Sequence, residues 1–174
     1  EFRRVLFRSD KMDYIVQKAV ELGVSRIVPM ISHNCVVKYD DSKKEKHRQK
    51  WQKIADEAAK QCGRDIRPEV EKITGIAECI EMAGGYNACV CYENEENISI
   101  RQYLAEQSDL KYMVVIGPEG GFDESEIEQA KEAGAIPITL GKRILRTETA
   151  GLTTLSILMY HLECREQLDD KNIR

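Results

Sequence analysis

The chain has 174 residues, of which 42% are hydrophobic and 32% are charged, and its formal net charge is −4. This length and composition indicate one globular domain with a sizeable core. No apolar run approaches the roughly 20 residues that a membrane-spanning helix needs, and no secretory signal precedes the fold, so we expect a cytoplasmic protein. The negative net charge also argues against a general nucleic-acid coat.

Charge is distributed unevenly along the chain. Residues 38–67 contain ten Lys or Arg against six Asp or Glu, whereas residues 93–128 contain two against ten. A basic region beside an acidic one would allow RNA to bind on a single face. The alternative is that the lysines only coat a solvated helix, and charge alone favours that alternative.

The cysteines and histidines do not form a recognisable metal motif. The six cysteines, at positions 35, 62, 79, 89, 91 and 164, are interpreted as reduced and mostly buried thiols. Cys89 and Cys91 would share one face of a strand. We interpret His33 as a loop residue, His47 as a solvated helix residue and His161 as a core or dimer-face residue, and we predict no bound metal.

The predicted elements begin after residues 1–9, "EFRRVLFRS", which we interpret as a non-native segment. The stretch "DKMDYIVQKAVELG" predicts a helix that is capped by Asp10 and ends at Gly23. The stretch "VSRIVPMI" is typical of one short buried strand, with Pro29 tolerated near its end.

Strands and helices then alternate along the chain. Ser42 and Glu45 form a capping box for a lysine-rich helix that runs to about Cys62, and the chain is extended over residues 67–73. Further helices are predicted over residues 76–82, 100–107, 123–134 and 150–165, and further strands over residues 88–93, 112–116 and 136–140. This alternation predicts an α/β fold with a mostly parallel sheet covered by helices on both faces.

Two loops follow strand ends, where open α/β sheets bind their ligands. In "IGPEGG", the glycines Gly117, Gly120 and Gly121 allow a ligand to approach the backbone closely. In "LGKRILRTETAG", the apolar pair Ile144–Leu145 lies inside a loop, which is costly unless a flat apolar group such as an adenine ring covers it.

Neither loop resembles a phosphate-binding loop, because both lack the Gly-Lys-Ser/Thr ending and the G-x-G-x-x-G pattern. The carboxylate of Glu119 would also repel a phosphate. An adenine-sized pocket with acidic surroundings favours S-adenosylmethionine over ATP. The alternative, that the glycine turns are only turns, stays open on the chemistry alone.

Four segments resemble the RsmE family of SPOUT methyltransferases over residues 10 to about 165. They are "QKAVELGVSRIVPM", "KIADEAAKQCGRDIRPEV", "VVIGPEGGFDESEI" and "LGKRILRTETAGLTTLSIL". The resemblance implies methylation, by S-adenosylmethionine, of N3 of one uridine in the decoding region of bacterial 16S ribosomal RNA in the small subunit. It also implies a SPOUT-type sheet with a C-terminal trefoil knot, a cofactor held in the knot loops, and a homodimer.

The resemblance assigns residues 10–174 to a SPOUT methyltransferase domain. We expect the N-terminal PUA-like RNA-binding domain of the family to be absent, and "RVLF" to imitate the first strand of the catalytic domain. By position, the cofactor pocket would be lined by Glu93, Ile116, Gly117, Gly121, Leu140, Gly141, Ile144, Leu145 and Arg146, with Thr149 at its edge.

Methyl transfer to N3 of uridine requires the loss of its proton, and a nearby cation would stabilise the resulting anionic imide. Arg64 and Arg146 are the candidates for this cation. The alternative for Arg64 is a surface arginine that binds helix carbonyls. Glu148 could act as a base, orient Arg146 or cap the last helix, and we favour its structural roles.

The predicted RNA contacts are Lys43, Lys44, Lys46 and Arg48 for phosphates, with Gln61 and Arg64 nearer the flipped base. Two other functions stay open, namely a non-catalytic RNA- or ribosome-binding SPOUT module and a truncated, inactive chain that retains cofactor binding. A nucleotide-phosphate enzyme is a third, against which the missing Lys-Ser/Thr pair argues.

Overall fold

A computed structural model of the chain describes residues 4–6, 11–31 and 40–172, with side chains described for residues 11–31 and 40–165. The elements in chain order are β1 (Arg4–Leu6), α1 (Met12–Glu21), β2 (Arg26–Ile27), β3 (Met30–Ile31), α2 (Asp41–Gln61), β4 (Glu69–Val70), β5 (Thr74–Gly75), α3 (Ile76–Glu81), β6 (Asn87–Cys91), α4 (Ile100–Glu106), β7 (Tyr112–Ile116), α5 (Glu124–Glu132), β8 (Ile136–Ile138) and α6 (Thr147–Asn172).

The main sheet has six parallel strands in the order β4-β2-β1-β7-β6-β8, and β3 pairs with β5 in a small second sheet. Val5 in β1 lies opposite Ile27 on one side and Val114 on the other, so Arg4–Leu6 supply a central strand. These pairings confirm the predicted α/β fold with a parallel sheet. The trefoil knot implied by the resemblance stays a prediction.

Helices cover both faces of the sheet, as β7 shows. Tyr112, Val114 and Ile116 pack into one apolar cluster with residues of α1, α2, α4 and α6. Met113 and Val115 pack into a second cluster with residues of α3 and α5. All five residues of β7 are buried because a central parallel strand is covered on both sides.

The stretch "VSRIVPMI" does not form the single strand predicted for it. It divides into β2 and β3 at Val28–Pro29, and the two parts join different sheets. Pro29 has no N–H to continue a ladder, although its carbonyl accepts from the N–H of Thr74 at 3.0 Å. The proline therefore marks the point where the chain leaves the main sheet.

The predicted starts of some helices were also wrong. The cap of α2 is Asp40, whose side chain accepts from the N–H of Lys43 at 2.8 Å, and not Ser42. The last helix begins at Thr147, not at Ala150. The N-cap position of α1 is Lys11, while Asp10 lies outside the described residues.

The ends of α1 and α5 and the second capping box were predicted correctly, whereas α6 runs to Asn172 and not only to about Arg165. Gly23 and Gly134 adopt φ values of +95° and +88° just after α1 and α5. The carboxylate of Glu126 accepts from the N–H of Asp123 at 3.0 Å. These contacts are local to each helix, which explains why the sequence could predict them.

Five of the six cysteines, at positions 62, 79, 89, 91 and 164, are free thiols, and Cys35 lies with His33 outside the described residues. Over the described ranges, no cluster of three or more His, Cys, Asp or Glu side chains is arranged to hold a metal ion. In the same part of the chain, no helix is both long and apolar enough to cross a membrane.

Gln52 of α2 attaches the edge strand β4 to the rest of the domain. Its Oε1 accepts from the N–H of Val70 at 2.8 Å, and its Nε2 donates to the carbonyl of Pro68 at 2.9 Å and to Asp56 at 2.9 Å.

Gln52→Met would leave the N–H of Val70 unsatisfied, so we expect the free energy of unfolding to fall by about 1–3 kcal/mol in urea titrations. Gln49→Met, at an exposed position of the same helix, should change it by less than about 0.5 kcal/mol. Equal losses in the two variants would contradict this role.

Candidate ligand-binding site

A cavity of about 530 Å³ opens where β6, β7 and β8 end. The lining residues are Cys91, Tyr92 and Glu93 from the end of β6, Pro118, Glu119 and Gly121 after β7, residues 138–148 from the end of β8 into α6, and Lys11 and Ala150. The volume lies within the range of small-molecule and cofactor sites, about 300–1,000 Å³. Its position matches the predicted ligand site at the carboxyl edge of the sheet.

Most of the residues predicted to bind the cofactor come together at this cavity. Those that line it are Glu93, Gly121, Leu140, Gly141, Ile144, Leu145 and Arg146. Ile116 does not, because its side chain is buried in the core. Gly117 and Thr149 are also absent from the lining, and Thr149 is exposed in the first turn of α6. Whether each residue contacts a cofactor stays a prediction.

The loops after β6 and β7 meet at Gly121. This residue has a φ of +71°, and its N–H donates to the carbonyl of Pro118 at 3.0 Å. A Cβ at this position would collide with Oε1 of Glu93 and lie 3.3 Å from its Cδ. Only glycine satisfies both the turn and the close approach, so the backbone of one loop packs directly against the carboxylate of the other.

Gly117 affects the conformation of the same loop through its contact with Phe122. A Cβ on Gly117 would lie 3.0 Å and 3.1 Å from two ring carbons of Phe122, and this ring is itself buried. The absence of a side chain at position 117 therefore lets the ring of Phe122 pack under the turn. Gly117 acts on the conformation of the loop and not on the cavity wall.

The loop after β8 is anchored at its base and open at its tip. The N–H of Thr139 donates to Ile98 O at 2.8 Å, and the hydroxyl of Thr139 accepts from the N–H of Gly141 at 3.2 Å. Beyond this anchor, Ile144 is 86% exposed and Leu145 is partly buried at the cavity. The predicted apolar pair, Ile144 and Leu145, therefore lies where a ligand in the cavity would contact it.

Glu148, in the first turn of α6, is ion-paired with Lys11 at the start of α1. The hydrogen bond from the Lys11 ammonium holds the pKa of the Glu148 carboxyl below its usual range, and the nearby charge of Arg146 adds to the effect. A carboxylate held in this way is a weaker base, which favours the structural roles of Glu148.

Lys11 is one of several cavity residues that were not predicted from the sequence, and Tyr92, Lys142 and Arg143 are others. Lys11 lies 137 positions before Glu148, so no local pattern links the two. The two residues are connected only through the topology, because β1 runs parallel to β7 and Lys11 lies at the cavity beside the end of β7.

The two candidate catalytic arginines occupy different surroundings. Nη1 of Arg64 donates to the carbonyls of Val20 at 2.9 Å and Val24 at 2.6 Å, and Nη2 donates to Gly23 at 3.2 Å. Arg64 thus satisfies carbonyls at the end of α1, which is the alternative considered for it, and burial lowers its pKa. Arg146, by contrast, is exposed and lines the cavity.

The predicted RNA contacts on α2 lie away from the cavity. Lys43, Lys44, Lys46, Arg48 and Gln61 belong to α2 and do not contribute to the cavity lining.

Cys91 does line the cavity, and its Sγ lies 3.3 Å from Oγ1 of Thr154. Burial raises the pKa of the Cys91 thiol to about 12, so this cysteine is not a nucleophile at neutral pH.

Comparison with known proteins gives concordant matches. A family described as an RNA methyltransferase domain matches residues 4–159. The chain is similar to the ribosomal RNA small subunit methyltransferase E of Bacillus subtilis (strain 168), with 37% identity over 162 residues that cover 90% of this chain and 63% of the relative. It is also similar to the protein of the same name from Aquifex aeolicus (strain VF5), with 36% identity over 155 residues that cover 85% of this chain and 62% of that relative.

A solved structure is similar to the chain as well. The crystal structure of a ribosomal RNA small subunit methyltransferase E from Neisseria gonorrhoeae bound to S-adenosylmethionine matches with a TM-score of 0.82 and 34% identity. The match covers 92% of this chain and 65% of that one. The chain therefore spans less than two thirds of the length of these three proteins.

The Lys11–Glu148 pair makes a prediction about pKa. Lys11→Met should raise the pKa of the Glu148 carboxyl towards its ordinary value of about 4.3, because the main cause of its lowering is removed. Titration followed by carbon NMR of labelled glutamate carboxyls, assigned with Glu148→Gln, would measure the shift. Lys18→Met, which breaks an ion pair with Glu21 on the same helix, is the matched control. An unchanged pKa of Glu148 in Lys11→Met would refute the assigned pairing.

Proposed function

The chain belongs to the RNA methyltransferase domain family, and on that basis we propose that it transfers a methyl group from S-adenosylmethionine to ribosomal RNA of the small subunit. The observation that carries the proposal is the cavity at the carboxyl edge of the sheet, with its glycine turn at Gly121 and its apolar rim at Ile144 and Leu145. The similar proteins from B. subtilis and A. aeolicus bear out the resemblance to the RsmE family.

The chemistry of the lining suits S-adenosylmethionine. Leu140 and Leu145 offer apolar surface for an adenine ring. Glu93 and Glu119 bring two carboxylates to the cavity, which suit the hydroxyl groups and the positive charge of this cofactor. These residues would hold the adenosine and methionine parts of the cofactor between the loops after β6, β7 and β8.

When bound, S-adenosylmethionine supplies an electrophilic methyl group, and the task of the chain is to position and activate the acceptor nitrogen. Arg146 presents an exposed guanidinium at the cavity, whose forked donors suit the carbonyl oxygens of an anionic imide. Lys11 fixes the position of Glu148 through their ion pair. Glu148, two residues after Arg146, orients the Arg146 guanidinium through its charge. Arg64 contributes to structure by binding the end of α1.

We infer the acceptor from the motif resemblance. It is N3 of one uridine in the decoding region of bacterial 16S ribosomal RNA, reached in the cytoplasm within the small subunit. The homodimer is also a proposal, supported by Tyr160 on α6, a large side chain that is 71% exposed.

One experiment distinguishes this function from its alternatives. Small ribosomal subunits that lack the modification are incubated with the chain and labelled S-adenosylmethionine, and nucleosides from the digested RNA are analysed by mass spectrometry. We expect N3-methyluridine to appear, and to be absent with Leu145→Asp. Cofactor binding without methylation would support the inactive-chain alternative. RNA binding without cofactor affinity would support the non-catalytic module.

The close approach at Gly121 gives a matched test of the cofactor site. Gly121→Ala and Gly134→Ala both place a Cβ in the left-handed region and should cost similar strain, about 1–2 kcal/mol. Only Gly121→Ala also displaces the carboxylate of Glu93, because no heavy atom lies within 4 Å of a Cβ at Gly134. Calorimetric titration should therefore show an affinity for S-adenosylmethionine lowered at least about tenfold in Gly121→Ala, corresponding to about 1.4 kcal/mol, and little change in Gly134→Ala. An equal loss of affinity for S-adenosylmethionine in the two variants would mean that backbone strain alone is responsible.

A further inference from the structure

Most of the basic residues of α2 that the sequence suggests as RNA contacts form ion pairs with carboxylates close to them. The ion pairs are Lys43–Asp40 at 3.4 Å, Lys44–Asp41 at 3.3 Å, Arg48–Glu45 at 2.7 Å and Lys50–Asp13. Lys46 is close enough to Asp40 to help lower the pKa of that carboxyl. A paired lysine attracts a phosphate weakly, because its carboxylate partner repels the same phosphate.

The rim loop, residues 141–146, has cations of a different kind. Lys142, Arg143 and Arg146 are all exposed and stand at the cavity mouth. Across the ranges for which side chains are described, none of these three cations forms an ion pair. Their charge is therefore available to a ligand that arrives from solvent.

Carboxylates and cations lie on different segments around the cavity. Glu93 and Glu119 follow β6 and β7, while Lys142, Arg143 and Arg146 lie together on the rim loop, and all five side chains are exposed. A polyanion would be attracted to the rim loop and repelled from the segments that carry the two carboxylates, so its backbone would follow the rim loop. Ile144, exposed in the same loop, offers an apolar surface against which an unstacked base can lie.

We propose that single-stranded RNA flanking the target base docks on the rim loop through phosphate contacts from Lys142 and Arg143, and not on the lysine-rich face of α2. The inference rests on the proposed function and goes beyond it by placing the RNA path. It also replaces the contacts predicted from the sequence, Lys43, Lys44, Lys46 and Arg48, as the main source of affinity.

Two double variants test the proposal with equal changes in net charge. Lys142→Ala with Arg143→Ala removes the rim cations, and Lys43→Ala with Lys44→Ala removes two cations of α2. For each purified chain, circular dichroism confirms folding. Fluorescence anisotropy then measures the affinity for a short labelled single-stranded RNA over a range of salt concentrations, and calorimetry measures the affinity for S-adenosylmethionine.

The rim variant should lose at least about tenfold in RNA affinity, and the slope of log affinity against log salt should become shallower by about 1.4, since each phosphate contact to a single strand contributes about 0.7. The α2 variant should change RNA affinity by less than about twofold, as expected of cations that are already paired. The affinity of the rim variant for S-adenosylmethionine should fall far less than its affinity for RNA.

Three results would overturn the proposal. One is a larger loss of RNA affinity in the α2 variant, and another is a wild-type chain that binds S-adenosylmethionine but no RNA. The third is a parallel loss of both affinities in the rim variant, which would assign Lys142 and Arg143 to the carboxylate of the cofactor. A folded wild-type chain that binds neither ligand would instead refute the proposed function itself.

Discussion

The candidate site depends on the parallel pairing of β6 with a strand on each side. Cys91 lies opposite Ile116 of β7 and opposite Ile138 of β8, so the three strands end at the same level. Because neighbouring strands are about 4.8 Å apart, the loops that follow them must share one small region. A slip of one residue in this register would turn the side chains of β6 to the opposite face and separate the loops.

Contacts between loops then convert this shared edge into a defined cavity. Gly121 lets the backbone after β7 pack against Glu93, which follows β6, and Thr139 anchors the loop after β8. Lys11 and Glu148 connect the first and last helices across the same opening. The resulting site has two carboxylates on the loops after β6 and β7 and three exposed cations on the rim loop, which places the surface suited to an anionic nucleic acid on one side of the cavity.

Much of this arrangement could be predicted from sequence because its signals are local. β7 is a continuous apolar run bounded by a turn, and α5 carries its own capping box at Asp123. The loop motifs could be assigned through resemblance. The remaining features depend on tertiary contacts: Lys11 reaches Glu148 through the strand order, and Arg64 is held by the end of a helix that no pattern places beside it. Pro29 interrupts an apolar run whose composition alone indicates one strand.

Calorimetric titration of S-adenosylmethionine into the purified, folded chain, with ATP and magnesium as the control ligand, tests the central claim most directly. We expect saturable binding of S-adenosylmethionine at one site per chain and no binding of ATP, because the loops after β7 and β8 lack the residues of a phosphate-binding loop. A folded chain that binds ATP, or that binds neither ligand, would contradict the assignment of this cavity to a methyl-donating adenosine.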